Sequence, residues 1–295
     1  MSAIESETMT QCRAKLRDYY ILTKPEVNLL VVMTTGAGFY LASRGVVDYF
    51  GLLNTVMGTL LVASGTATLN QWMERVYDGQ MRRTAKRPLP AGRVSAREAF
   101  RFGVLLSITG GVYLAVAVNA IAALLATFTL LSYLLIYTPL KRKTPLCTLL
   151  GAFPGAMPTL IGWTGASSTI DSRAWFLFAI LFLWQFPHFL AIALLYREDY
   201  ALAGCRMLPD FDADGRFTRA EVFAFTVMLV LLTLFGSRSS PICATILLLA
   251  GAFLLYPAGK LLTTGKRNLA SKVVHVSVLY LPIVLIVTTR MKMWL

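Results

Sequence analysis

Nine apolar stretches, each close to the length of a membrane crossing, dominate the sequence. They fall at roughly 27–43, 49–69, 99–117, 120–138, 146–163, 174–195, 220–236, 242–259 and 273–289. About 20 apolar residues cross the hydrocarbon as a helix. Backbone polar groups cannot stay unpaired in lipid, so spans of this kind are helices or closed barrels. A barrel requires period-two alternation, which runs such as Ile121-Ala122-Ala123-Leu124-Leu125-Ala126 lack. The expected class is therefore an all-α polytopic membrane protein. Nine transmembrane helices would surround a central intramembrane cavity. Composition agrees: 56% of residues are hydrophobic and only 15% charged, against about 25% charged in soluble domains.

Basic residues set the orientation. With the amino terminus inside, 23 of the 28 Lys and Arg fall on the inner side. The other 5 are Arg44, Arg173, Arg238, Arg290 and Lys292. An odd number of spans then puts the carboxyl end outside. Residues 1–26 read as a cytoplasmic segment with no cleavable signal peptide, and 27–295 as one transmembrane domain. The net charge of +13 points to the lipid bilayer or an anionic substrate at its face, with no nucleic acid. Cys12, Cys147, Cys205 and Cys243 show no metal-binding spacing.

The acids are one-sided as well. Only Asp48 and Asp171 fall outside. Two inner segments carry the acids that lie beside apolar helices. In the first, Asn70, Glu74 and Asp78 stand at i, i+4 and i+8 at the end of the second span. That spacing puts them on one helix face. Two carboxylates and a carboxamide suit Mg²⁺, which completes its shell with water and substrate phosphate oxygens. Arg82, Arg83, Lys86 and Arg87 follow at once, and Pro88 ends any helix. Such cations suit a diphosphate leaving group. An amphipathic loop with local ion pairs is the competing reading, but Glu74 and Asp78 repel at i,i+4 in a helix built for stability alone.

The second segment runs from Trp184-Gln185-Phe186-Pro187-His188 to Tyr196-Arg197-Glu198-Asp199-Tyr200. On a continuous helix Trp184, His188, Ile192, Leu195 and Asp199 share a face. A histidine at membrane depth is a functional candidate, with a structural hydrogen bond as the alternative. His275 has no acidic company and reads as structural. A third inner cluster holds Tyr137, Lys141 and Arg142. Its cations either reach the same diphosphate or simply set topology.

The spans, the Asn-x3-Glu-x3-Asp pattern and the basic residues after it resemble the UbiA superfamily of intramembrane prenyltransferases. Glu74 stands where the family pattern has Asp. The strings NQWMERVYDGQMRRTAKRPLP, YTPLKRKTPLCTLLGAFPGAMPTLIGW and WQFPHFLAIALLYREDY resemble the haem-farnesylating branch of that superfamily. The resemblance implies transfer of farnesyl, with water, from farnesyl diphosphate to a vinyl group of haem B. It implies Mg²⁺ held by Asn70, Glu74, Asp78 and Asp199. Diphosphate contacts would come from Arg82, Arg83, Lys86, Arg87, Lys141 and Arg142, and a contact to haem iron or a propionate from His188. Tyr137, Trp184, Tyr196, Glu198 and Tyr200 would line the substrate site. A bacterial-type inner membrane, and a haem A synthase or terminal oxidase assembly as partner, belong to the same expectation. The second motif departs from the family's Asp-x3-Asp, because only Glu198 and Asp199 are acidic there. The residue chemistry alone does not separate haem from an aromatic quinone precursor.

Overall fold

A computed structural model describes residues 3–237 and 240–290. The outer-face charges assigned to Arg238 and Lys292 lie outside these residues. Every regular element among the described residues is helical. The chain runs α1 (Ala3–Leu22), α2 (Pro25–Ala42), α3 (Tyr49–Asp78), α4 (Ala96–Ala117) and α5 (Ala120–Ser132). A π-helical turn, Tyr133–Tyr137, leads into α6 (Thr138–Leu140) and α7 (Cys147–Ala166). Then come α8 (Ser172–Leu195), α9 (Arg197–Leu202), α10 (Arg216–Gly236), α11 (Pro241–Thr264) and α12 (Arg267–Arg290).

The protein is an integral membrane protein. Among the described residues, seven helical segments are long and apolar enough to cross a bilayer: α3, α4, Ala120–Leu140, α8, α10, α11 and α12. The other two expected spans fall on α2 and α7, which are helical but less apolar. Their composition follows from their place. The two pack on each other inside the molecule, and a methyl added at Gly38 or Gly162 would collide with the carbonyl of Thr159 or Thr35. Helices that approach so closely need Gly, Ala and Thr at the contact rather than Leu. Successive helices pack on one another around the molecule, and α12 closes the ring against both α8 and α2.

Local chemistry fixes several helix ends. Asp48 and Asp171, the two acids expected on the outer side, are N-caps. The Asp48 side chain accepts from the N–H groups of Phe50 and Gly51, both at 3.0 Å. Asp171 accepts from Arg173 and Ala174 at 3.0 and 3.2 Å. Each satisfies donors that the first helical turn leaves free. Ser95 and Glu98 form a capping box at the start of α4. Asp18 pairs with Arg93 at 2.9 Å, which helps dock α1 beside α4. Some of the inner acids are thus structural.

Candidate active site

A cavity of about 660 Å³ opens between the helices. Its walls come mainly from α2, α3, α7, α8 and α12, and its charged side chains are Lys24, Glu74, Asp78, Arg83, Arg87 and Lys141, from the end of α3 and from segments that flank helices. There α3 runs unbroken to Asp78, so Asn70, Glu74 and Asp78 all reach the cavity wall. The spacing argument holds because nothing interrupts the helix.

Each of the three oxygen-bearing groups meets a cation. Lys24 Nζ donates to Asn70 Oδ1 at 2.9 Å. Lys141 Nζ lies 3.0 and 3.3 Å from the two Glu74 oxygens. Arg87 Nη1 donates to Asp78 Oδ2 at 2.8 Å. Asn70 uses its amide hydrogens on Glu74 Oε2 and Thr138 Oγ1, at 3.0 and 3.1 Å, which turns Oδ1 toward the cavity. The like-charge conflict between Glu74 and Asp78 is resolved by these partners, which come from three other segments of the chain.

The cations feel one another. Burial, reinforced by Arg87 and Lys141, pulls Lys24 down to about 7. Burial is the largest single influence on Lys141 and opposes its charge, but Glu74 together with Tyr137 and Tyr133 outweighs it and holds that ammonium well above its ordinary range. Lys24 is further marked by its backbone. Its φ of 51° is the only positive value at a described non-glycine residue, in a region L-residues rarely adopt. The turn aims the side chain at Asn70 just before Pro25 opens α2.

The π-helical turn has a comparable role beside α3. Thr138 Oγ1 donates back to Tyr133 O at 2.9 Å, and the widened turn puts Tyr133 and Tyr137 on the cavity surface. Single π turns inside helices frequently mark functional sites. Lys141 Nζ lies 4.5 Å from the Tyr137 ring centroid, so that ring face already accommodates a positive charge.

The second segment is arranged differently. Pro187 does not end α8, which continues to Leu195. Trp184, His188, Ile192 and Leu195 therefore share the cavity wall as the spacing required. The helix then breaks at Tyr196 (φ −112°, ψ 28°) before the short α9. Past that break Asp199 leaves the shared face. Asp199 and Glu198 line a separate hollow of about 410 Å³, together with Arg82, Arg83, Tyr196 and Arg267. Arg83, Tyr196 and Tyr200 lie on the main cavity, and Arg83 and Tyr196 form the partition shared by both spaces. The backbone N–H of Arg83 points at Asp199 Oδ2 at 3.4 Å. Lys86 and Arg142 line neither space. Arg142 stacks on Tyr77, 3.7 Å from its centroid.

A polar, cation-rich mouth on a deep apolar chamber is what an amphiphilic diphosphate needs. A family model described as the UbiA prenyltransferase family matches residues 31–281. The chain belongs to the UbiA prenyltransferase family. A protoheme IX farnesyltransferase of Solibacter usitatus (strain Ellin6076) is 45% identical over 281 residues, covering 91% of this chain and 96% of that protein. One of Koribacter versatilis (strain Ellin345) is 41% identical, with 91% of each covered. One of Opitutus terrae is 40% identical over 94% of this chain and 95% of its own. Among solved structures, a digeranylgeranylglyceryl phosphate synthase superposes with a TM-score of 0.76 at 19% identity, over 96% of this chain and 100% of its own. A UbiA homolog from Archaeoglobus fulgidus, bound to GPP and Mg²⁺, gives 0.67 at 14% identity over 92% and 99%. At these identities the structural likeness establishes the UbiA fold.

Within that fold the donor set of α3 fits a hard divalent cation. Asn70, Glu74 and Asp78 offer only oxygen, and all three oxygens already attract positive charge. No cluster of three or more His, Cys, Asp or Glu side chains able to hold a metal forms among the described residues. Much of a metal's shell would therefore have to come from substrate and water. Several site residues carried little sequence signal. Lys24 looked like one more topology-setting charge, and Tyr133 and Thr138 like ordinary span residues. Arg267 was one member of an inner basic group. His275, read from sequence as structural, also lies on the cavity wall. Its Nδ1 donates to Ser271 O at 2.7 Å.

Proposed function

We propose that this UbiA enzyme transfers farnesyl from farnesyl diphosphate, with addition of water, to a vinyl group of haem B, giving haem O and diphosphate. What carries the reading is the pairing of full-length similarity to protoheme IX farnesyltransferases with a chamber whose charged mouth matches a diphosphate and whose walls match an isoprenoid chain.

Lys24, Arg87 and Lys141 release the α3 oxygens and turn to the diphosphate. There they stabilise the charge that develops as the allylic C–O bond breaks. Arg83 reaches the same space from the partition. Asn70, Glu74 and Asp78 would hold Mg²⁺, which would supply further charge against the departing diphosphate, with Asp199 contributing from the neighbouring hollow. Tyr133 and Tyr137 offer ring faces to the allylic cation. The apolar walls keep water from it until it adds to the vinyl carbon. Water then attacks the new benzylic-type cation and loses a proton, completing the hydroxyethylfarnesyl group. Trp184 and His188 face the acceptor from α8. The amino terminus lies in the cytoplasm of a bacterial-type inner membrane, and the carboxyl end outside.

Incubating membranes that contain the protein with farnesyl diphosphate and haem B is the direct test. The expected product is haem heavier by farnesyl plus water. Prenylated hydroxybenzoate, with haem left unchanged, would instead assign an aromatic quinone precursor as acceptor.

A further inference from the structure

The cavity wall carries a buried imidazole whose two nitrogens are in unlike situations. His188 Nδ1 lies 2.8 Å from Ser277 Oγ. That hydroxyl donates its single hydrogen to Val274 O, also at 2.8 Å. A hydroxyl has one hydrogen and two lone pairs, so with that hydrogen on Val274 O, Ser277 meets His188 as an acceptor and the tautomer with the proton on Nδ1 is the one that fits. Nothing acidic bonded to the ring would hold a second proton, and the neutral ring leaves Nε2 bare. The ring's side-chain hydrogen bond runs through Nδ1 to Ser277, and the Val274 backbone is its other hydrogen-bonding neighbour on α12.

The arrangement is braced. Trp184 stacks on the imidazole at 4.7 Å with an interplanar angle of 17°. Its Nε1 donates to the backbone carbonyl of the same Ser277 at 2.7 Å. One fully buried serine of α12 therefore holds two residues of α8 a turn apart. A ring flip would put a C–H against Oγ and break the network.

A bare imidazole nitrogen only accepts. It has nothing to offer a carboxylate, but it is a metal ligand. The two uses that the sequence left open for His188, haem iron or a propionate, are thereby separated. Resting on the haem-farnesylating reading above, we infer that His188 Nε2 is an axial ligand to the iron of the bound haem and that Ser277 is the positioning residue that makes it so. Metal-ligating histidines characteristically donate their other N–H to a partner of this kind. The bond is donation of a lone pair to iron, and no proton or electron moves. It pins the centre of the macrocycle, so that a vinyl group is presented to the allylic carbon in a fixed orientation.

The test titrates ferric haem B into the full-length protein in lipid nanodiscs and reads optical and electron paramagnetic resonance spectra. Wild type should show an imidazole-ligated iron. His188→Gly should lose that signature and regain it with added imidazole. Ser277→Ala should weaken haem binding by about 10- to 100-fold, with binding of a non-hydrolysable farnesyl diphosphate analogue unchanged, and Ser277→Thr should restore it. A wild-type spectrum in His188→Gly, or wild-type haem affinity in Ser277→Ala, overturns the inference. Haem that is bound and farnesylated with a spectrum indifferent to His188 overturns the ligation alone. Haem that does not bind wild type overturns the acceptor assignment with it.

Discussion

The two acidic segments look alike in sequence, each following an apolar helix at its inner end, yet the fold uses them differently. In the first, α3 continues without a break through Asp78, and Asn70, Glu74 and Asp78 stand on the wall of the main chamber. In the second, α8 breaks at Tyr196, and Asp199 turns into a side hollow behind Arg83. Rigid helix places functional groups to within fractions of a turn, whereas a break frees them to face elsewhere. The first segment holds its polar groups on the wall of the main chamber, and the second flanks that chamber.

That asymmetry is open to direct attack. Asp78→Ala or Glu74→Ala should lower the rate of product formation by roughly 10²-fold or more, as loss of one electrostatic stabiliser does. Near-normal turnover in both would remove α3 from the chemistry. Glu74→Asp, which restores the family's usual residue, should keep most activity. Lys24→Met should weaken binding of the prenyl diphosphate by about 10- to 100-fold, the range for a lost hydrogen bond to a charged group. Displacement of a labelled analogue would measure it, and unchanged affinity would leave Lys24 a partner of Asn70 only. For Asp199→Ala we expect a smaller loss, about tenfold. A loss equal to that of Asp78→Ala would mean that both segments act as one metal cluster. At the bottom of the scale, Lys86→Ala should stay within about twofold, as a surface change away from the cavity does. A large loss there would show that the basic run closes over the mouth when substrate arrives.

Much of this was legible beforehand, for identifiable reasons. Long apolar runs announce helices, because lipid leaves the backbone no other partner. The α3 face could be read from spacing because only continuity was required, and residues 70–78 hold no Pro or Gly to interrupt it. The helix α8 passes Pro187 and ends before Tyr196, where nothing in the composition marks a stop. The position of Asp199 was lost with that break. Lys24 was hidden for another reason. A lysine before a span satisfies the inside-charge rule, and that rule does not ask where the side chain goes. Ser277 was equally silent. A serine in an apolar helix usually bonds its own preceding turn, as this one does to Val274. Its second partnership, with His188, is tertiary. The outer acids Asp48 and Asp171 proved to be caps, a local role that fits their isolation.

The contact between α2 and α7 carries a consequence for anyone hoping to toughen this enzyme. Hydropathy alone would recommend swapping their glycines and threonines for leucine, since those two segments look like the feeblest anchors. Gly38 and Gly162 already lie against the opposite backbone, so a larger side chain at either would wedge the molecule apart along its spine. The segments that seem least at home in the bilayer are the ones with the least freedom to change.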